Sequence, residues 1–366
     1  MRYDIAPLLA PRSGPNSDRN VPLASSETGS RVCFQNKKKP RRHGPKQKTK
    51  PADPMNTLPV TVVVPAFRRL NFLSEALTSA LGQIFQDFEL IVTDDSNSPE
   101  IAQIAASFAD PRIRYRSNPR PLGIAMNHYA AFLEARGACL TSLHDDDVWD
   151  PHFLSELVPP LESDASVAVA FCDHHLIDEQ GRLLPEQTRQ NSRIYRRHTL
   201  APGRHQPFLE MAVVHQSIPM AMAAVFRKSI LNRADYPPRI GGSYDHWLAY
   251  LAARDGQAAY YVPQRLTRYR VHAGSGTVLR GTKNLQDTIY VRSRFLHSPD
   301  LAPWRKSLYN NLGVCYGKLA LLFLDQKRFR RAWIMGKQAC ILMNRPKNFL
   351  GLIKNTVLGL CRSIRP

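Results

Sequence analysis

From Pro59 onward, β-branched runs alternate with stretches whose apolar residues recur every three or four positions, in units of roughly 25 residues. VTVVV at 60–64 is apolar on both faces, as in strands covered by helices on each side. Phe72, Leu73, Ala76, Leu77 and Ala80 then trace one helical face over 71–82, opened by Ser74 and Glu75. FELIVT at 88–93 predicts the next strand. A helix over 99–109, strand IRYRS at 113–117, a helix over 124–136 and strand ACLTSL at 138–143 continue the series. Further on, VAVAFCD at 167–173 reads as a strand, Trp247, Leu248 and Leu251 as the apolar side of a helix beginning at Asp245, and Tyr260–Val262 as a short strand. The alternation predicts a parallel, doubly wound α/β sheet. Residues 284–340 return to helical spacing, with Leu312, Gly313 and Tyr316 followed by Phe329 and Ala332. Part of a tetratricopeptide pattern is there, but in one copy and with Asp325 where alanine is needed, so a plain helical hairpin is expected.

In open sheets of this kind ligands sit beyond the carboxyl ends of the strands. Three of the predicted strands end in residues with chemistry to offer: Pro65-Ala66-Phe67-Arg68, then Asp94-Asp95, then Asp145-Asp146-Asp147. Three adjacent carboxylates repel one another and are best tolerated where a divalent cation or a ring of donors neutralises them. An isolated triplet also reads as a solvated acidic turn. Carboxylates on separate strand ends, however, converge on one cleft, where they can hold a ribose, a base edge and a metal together.

VTVVVPAFRRLNFLSEALTSALGQIFQDFELIVTDDS at 60–96 resembles the opening of family 2 glycosyltransferases of the GT-A fold. The likeness continues through Asn118, Gly123 and Asn127 to HDDDVW at 144–149, then to Tyr244-Asp245-His246-Trp247 and Tyr269-Arg270-Val271-His272. It implies a Rossmann-like, mostly parallel central sheet. It also implies an inverting transferase that moves a sugar from a nucleotide-sugar donor, a UDP-sugar, to a hydroxyl of a saccharide or lipid-linked glycan in cell-surface polysaccharide synthesis.

Carried over residue by residue, the resemblance makes Pro65, Ala66, Phe67 and Arg68 the rim of the nucleotide pocket and Asp95 the reader of the uracil N3–H. Asp145 becomes a ribose contact, and Asp146 a ligand of the divalent cation, Mn²⁺ or Mg²⁺. Arg270 would reach the diphosphate and His272 the metal from the far wall of the cleft. Asp245, roughly a hundred residues beyond the acidic motif, becomes the base, a role compatible with a helix start. Asp235 is its competitor, and Asp173 an acceptor-side or structural residue. His144 stands where the family often opens an Asp-x-Asp-Asp motif, and imidazole suits Mn²⁺ better than Mg²⁺. Met126 stands where many relatives carry arginine, and Trp149 reads as core or acceptor platform. The chemistry independently asks for these residue types. A diphosphate leaving group needs a cation, and an acceptor hydroxyl with a pKa far above 7 needs a carboxylate base.

Charge adds partners to this picture. The 366 residues carry 50 Lys+Arg against 30 Asp+Glu, a net +20, with twelve basic and four acidic side chains in residues 1–54. An excess of that kind suits phosphate-bearing or anionic partners. Three regions are expected: a disordered basic segment over 1–56, a GT-A domain over 57–283 and a helical region over 284–366. The first, with KKKPRRHGPKQKTKP at 37–51, has too little apolar area to offset its ordering entropy. It reads either as a polybasic arm or as an extension ahead of a start at Met55. The six cysteines form no CxxC pair, which argues against a metal cluster or disulfide framework and for a reducing cytoplasm. No apolar run approaches about 20 residues and no secretory signal opens the chain. NFLGLIKNTVLGLCRSIRP at 348–366 is basic and amphipathic, suited to a membrane interface or to its own domain, so the expected location is cytoplasmic, with peripheral contact on the inner face of the membrane as one form. Two rival functions are a basic nucleic-acid-binding protein, which leaves the ordered carboxylates unexplained, and an inactive nucleotide-binding relative, with His144 and Met126 as its marks.

Overall fold

The computed structural model describes residues 60–219, 221–232, 235–274 and 281–344. The basic segment over 1–56 and the amphipathic stretch over 348–366 lie outside the described residues.

β1 (Val60–Ala66), β2 (Phe88–Asp94), β3 (Ile113–Ser117) and β4 (Cys139–Ser142) run parallel in the order β3-β2-β1-β4. They are linked by α1 (Leu73–Leu81), α2 (Pro99–Ser107) and α3 (Ile124–Glu134). Every residue of β2 is buried, as the unbroken apolar run in FELIVT requires, and Leu73, Ala76, Leu77 and Ala80 are the buried stripe of α1. Of the two acids in β2, Glu89 lies away from the strand's carboxyl end and is satisfied in place: its Oε1 accepts from Thr61 Oγ1 at 2.7 Å and from the Arg136 amide at 2.6 Å. Gly137 next to it leads into β4 so tightly against β1 that a Cβ would come within 2.5 Å of the Thr61 nitrogen.

The chain continues through β5 (Val148–Trp149), α4 (Phe153–Ser163), β6 (Val167–Ile177), α5 (Pro185–Ile194), β7 (Gly203–His205), β8 (Ala224–Arg227), α6 (Tyr244–Ala253) and β9 (Ala258–Arg270). These extend the sheet as β4-β8-β6-β9-β5, with β7 on β9. The parallel order read from the sequence thus covers β1 to β4 and the β6–β9 pair, while β8 runs antiparallel to both β4 and β6. A parallel neighbour needs a crossover element, usually a helix. β8 instead is entered through short 3₁₀ and π turns after β7.

Two apolar layers cover the sheet. One holds Leu73, Leu77, Trp149, Phe153 and Leu157, and the other holds Phe132, Trp247, Phe295 and Leu312. The second layer is continuous with three C-terminal helices, α7 (Gly281–Phe295), α8 (Arg305–Asp325) and α9 (Phe329–Leu342). α8 and α9 form the expected hairpin, and Trp247 of α6 stacks on Phe295 of α7 at 5.8 Å between ring centres. Among the described residues no helix is long and apolar enough to cross a membrane, and Cys139, Cys172, Cys315 and Cys340 are free thiols.

Candidate active site

The register of the parallel strands sets their ends level. Ala66 lies opposite Asp94, and Val63 lies opposite Ser142. Pro65 to Arg68, Asp95 and the loop 143–147 therefore emerge at the same edge of the sheet, as the sequence led one to expect. Phe67 and Arg68 are exposed there, with the Arg68 guanidinium 5.1 Å from the Phe67 ring centre, and Ala66 offers its carbonyl to the Asp95 amide at 3.0 Å. Arg68 has φ 58, a left-handed kink that ends β1.

Asp95 is held by a frame. Its Oδ1 accepts from Asn118 Nδ2 at 2.9 Å and from the Leu122 amide at 2.7 Å, and its Oδ2 accepts from the Gly123 amide at 2.8 Å. Gly123 has φ 82 ahead of α3, a conformation glycine takes without strain. Asn127 completes the frame, its Oδ1 accepting from Asn118 at 2.8 Å and from Thr93 Oγ1 at 2.6 Å. Asn118, Gly123 and Asn127, conspicuous only through the resemblance, thus orient Asp95. Asn118→Ala leaves two buried oxygens short of a donor and should cost about 1–3 kcal/mol of stability, read by urea unfolding.

The acidic loop is buried and crowded. Asp145 is 1% exposed, and its Oδ2 has no hydrogen-bond partner. Burial, together with the charge of Asp146, raises the Asp145 pKa against the opposing pull of Arg69. The Arg69 guanidinium bridges the two acids, Nη2 donating to Asp145 Oδ1 and Nη1 to Asp146 Oδ2. Asp146 Oδ2 also lies 3.1 Å from His272 Nε2. Asp147 accepts from the Arg270 amide at 2.9 Å on one oxygen and pairs with His144 Nδ1 at 2.9 Å through the other. Burial works against protonation of His144, but Asp147 first and then Asp146 and Asp145 outweigh it and raise its pKa.

Arg270 is almost fully buried and its fork is spent within the protein. Nε donates to the Asp146 carbonyl at 2.9 Å, Nη1 to the Glu179 carbonyl at 3.1 Å and Nη2 to Glu75 Oε2 at 2.6 Å, with the guanidinium over the Phe72 ring. Through these bonds it clamps the backbone of the acidic loop to α1. His144 Nε2 meets the Tyr244 hydroxyl at 2.8 Å, so the first turn of α6 is tied to the same loop. His128 stacks on Tyr244 at 4.1 Å and bonds Ser142 Oγ at 2.9 Å, and burial holds it neutral, its pKa pushed down to about 3.

Asp245, next to Tyr244, is half-buried at the start of α6, and burial pushes its pKa up to about 6. The preceding 3₁₀ segment is braced from α7: the Gly242 amide donates to Asp287 Oδ2 at 3.0 Å, and Ser243 and Thr288 hydroxyls meet at 2.9 Å. Asp235 points elsewhere, paired with Arg294 at 2.6 Å on the exposed surface. Asp173 is buried against Arg197 at 2.7 Å and Ser192 at 2.6 Å, a structural ion pair. Trp149 is core, its Nε1 donating to the Met222 carbonyl at 2.7 Å. Met126 is partly buried against the second apolar layer.

The donor set suits a divalent cation. Ligand atoms of His144, Asp146 and Asp147 lie within 4.8 Å of one another, His272 adds a second imidazole beside Asp146, and the unpartnered Asp145 oxygen is what an acid facing a cation would show. Mixed oxygen and imidazole donors favour Mn²⁺ over Mg²⁺.

A sheet of this order with an acidic loop at its strand ends is the GT-A architecture of sugar-nucleotide transferases. The crystal structure of S. aureus TarS 1–349 in complex with UDP-GlcNAc superposes with a TM-score of 0.54 at 13% identity, over 79% of this chain and 91% of that one. The mannosyltransferase PcManGT from Pyrobaculum calidifontis, in complex with GDP-Man and Mn²⁺, gives 0.52 at 15% identity, over 85% and 88%. Residues 61–231 match the description Glycosyl transferase family 2, and this segment is a glycosyltransferase domain of that family. An uncharacterized glycosyltransferase of Rickettsia typhi is 23% identical over 223 residues, 60% of this chain and 65% of that one, so the match stops short of two thirds of the relative's length. The Escherichia coli UDP-Glc:alpha-D-GlcNAc-diphosphoundecaprenol beta-1,3-glucosyltransferase is 29% identical over 90 residues, 25% of this chain and 36% of that one.

Proposed function

We propose that the protein is an inverting, metal-dependent glycosyltransferase that moves a sugar from a UDP-sugar to a hydroxyl of a saccharide or lipid-linked glycan. The observation that carries this reading is the meeting, at one sheet edge, of the framed Asp95, the buried acid loop and the half-buried Asp245. Asp95 accepts the N3–H of the base, Asp145 the ribose hydroxyls, and the backbone of Pro65 to Phe67 with the Arg68 side chain forms the rim. Asp146 holds the cation with His272 beside it, and Asp147 and His144 complete the shell. When bound, the cation stabilises the charge that develops on the departing diphosphate. Arg270 fixes the loop's backbone so that Asp146 is presented without reorganisation, and it reaches the diphosphate only by leaving Glu75. Asp245 takes the proton from the acceptor hydroxyl as that oxygen attacks the anomeric carbon from the face opposite the leaving group, which inverts the configuration.

The family match, the neighbours solved in complex with nucleotide sugars and the E. coli relative named for a lipid-diphosphate glycan acceptor support a role in polysaccharide synthesis. In this reading residues 57–283 carry the transferase, 284–344 of the 284–366 region brace it, and 348–366 supply any peripheral membrane contact. The donor assignment is tested by Asp95→Ala, which should weaken UDP binding about tenfold or more by isothermal titration while Mn²⁺ binding is unchanged. Guanine offers neighbouring N–H donors to a carboxylate, so GDP is titrated alongside, and preference for GDP would reassign the base.

A further inference from the structure

Arg69 received no role from the sequence, yet its guanidinium lies across the two acids on which the donor and metal reading depends. The fork spans Asp145 and Asp146 from the mouth of the cleft, where Arg69 is about a third exposed and the two acids are buried. Its backbone follows the kinked Arg68 in the short link between β1 and α1, while the side chain has four torsions with which to turn outward. Asp146 Oδ2, the oxygen beside His272 Nε2, is the one that accepts from Arg69.

Resting on that reading of the site, we infer that Arg69 is a resident counter-ion: it neutralises the acid pair before the donor arrives, yields Asp146 to the incoming cation, and then pairs with the donor's diphosphate. A guanidinium and a divalent ion on one carboxylate oxygen repel each other strongly in a cleft of low dielectric, so binding of one displaces the other. Free Mn²⁺ must therefore evict Arg69 into solvent. Mn²⁺ arriving with a nucleotide diphosphate brings a new anionic partner for the released fork, for which guanidinium is geometrically suited. Metal and nucleotide are then coupled through one side chain, each tightening the other.

The test compares wild type with Arg69→Met, which keeps length without charge, and Arg69→Lys, which keeps charge without the fork. Mn²⁺ binding in the absence of nucleotide is measured by electron paramagnetic resonance, and UDP binding at saturating Mn²⁺ by titration calorimetry. Arg69→Met is expected to bind free Mn²⁺ about tenfold more tightly and UDP about tenfold more weakly, with Arg69→Lys shifted the same way by less. A purely structural role would weaken both together. The inference is overturned if Arg69→Met binds free Mn²⁺ no better than wild type, and its hand-over step is overturned if UDP binding is unchanged. If the methionine variant does not fold, the lysine variant decides on the same pair of opposite shifts. Failure of wild type to bind Mn²⁺ even with UDP present would instead remove the metal reading on which the inference stands.

Discussion

Asp146→Ala is expected to lower sugar transfer by on the order of a thousandfold, with UDP-sugar hydrolysis falling alongside it. Asp146 is the acid common to His272 and to the His144–Asp147 cluster, so its loss splits the donor set. Its carbonyl is already committed to Arg270, which keeps the loop in place when the side chain is cut back. The fold should survive, because the substitution relieves repulsion within a triplet whose burial raises the pKa of Asp145 and Asp147. Far-UV circular dichroism matching wild type, together with lost Mn²⁺-dependent activity, is the expected pair of results. Full activity with Mn²⁺ would move the cation to another acid of the triplet.

On the proposed reading, in which the carboxylate serves the acceptor proton rather than the donor, Asp245→Asn should abolish transfer while leaving UDP and Mn²⁺ binding nearly intact. Its pKa of about 6 has two further consequences. The base works ionised, so the rate should fall tenfold per pH unit below about 6 and level off above it. The folded state also holds this proton more tightly than the unfolded chain, whose value is near 3.8; the linked stability is full below that value and lost as pH rises through about 6. At pH 8 the wild type therefore carries a buried charge that Asp245→Asn removes. After allowing for solvent around a partly exposed carboxylate, the variant should gain about 1–2 kcal/mol there and nothing at pH 4, read by thermal unfolding. A transfer-competent Asp245→Asn would return the base to open candidacy. Asp235 is a weak heir, being tied to Arg294 at the surface.

The first half of the sheet was legible because its strands are buried on both faces and its helices carry one clean apolar stripe. β1 to β4 and α1 to α3 lie within about two residues of their expected limits, as local pattern allows. β9 was not legible: thirteen residues long, it was visible only as Tyr260 to Val262, because Pro263 and then Arg265 and Arg268 look like a basic loop. β5 and β7, two and three residues long, carry no period at all. In the site, the strand-end acids could be found from alternation and topology. The ties that position them could not: Arg69 to Asp145, Glu75 to Arg270 and His144 to Tyr244 join residues 76, 195 and 100 positions apart, and no spacing rule connects them. The Tyr244-Asp245 pair was the nearest signal, since a tyrosine beside a proposed base is placed to reach the same cleft.

The central claim is that one buried acid loop at the sheet edge holds a cation and a nucleotide sugar together. Thermal unfolding with a panel of UDP- and GDP-sugars, each with and without Mn²⁺, addresses it directly, since a ligand at a hundred times its Kd adds about 2.7 kcal/mol to the folded state. The account predicts that a UDP-sugar with Mn²⁺ raises Tm by several degrees, that either component alone gives much less, and that the gain disappears in Asp146→Ala. A Tm unmoved by every nucleotide sugar, or an equal gain in Asp146→Ala, would contradict it.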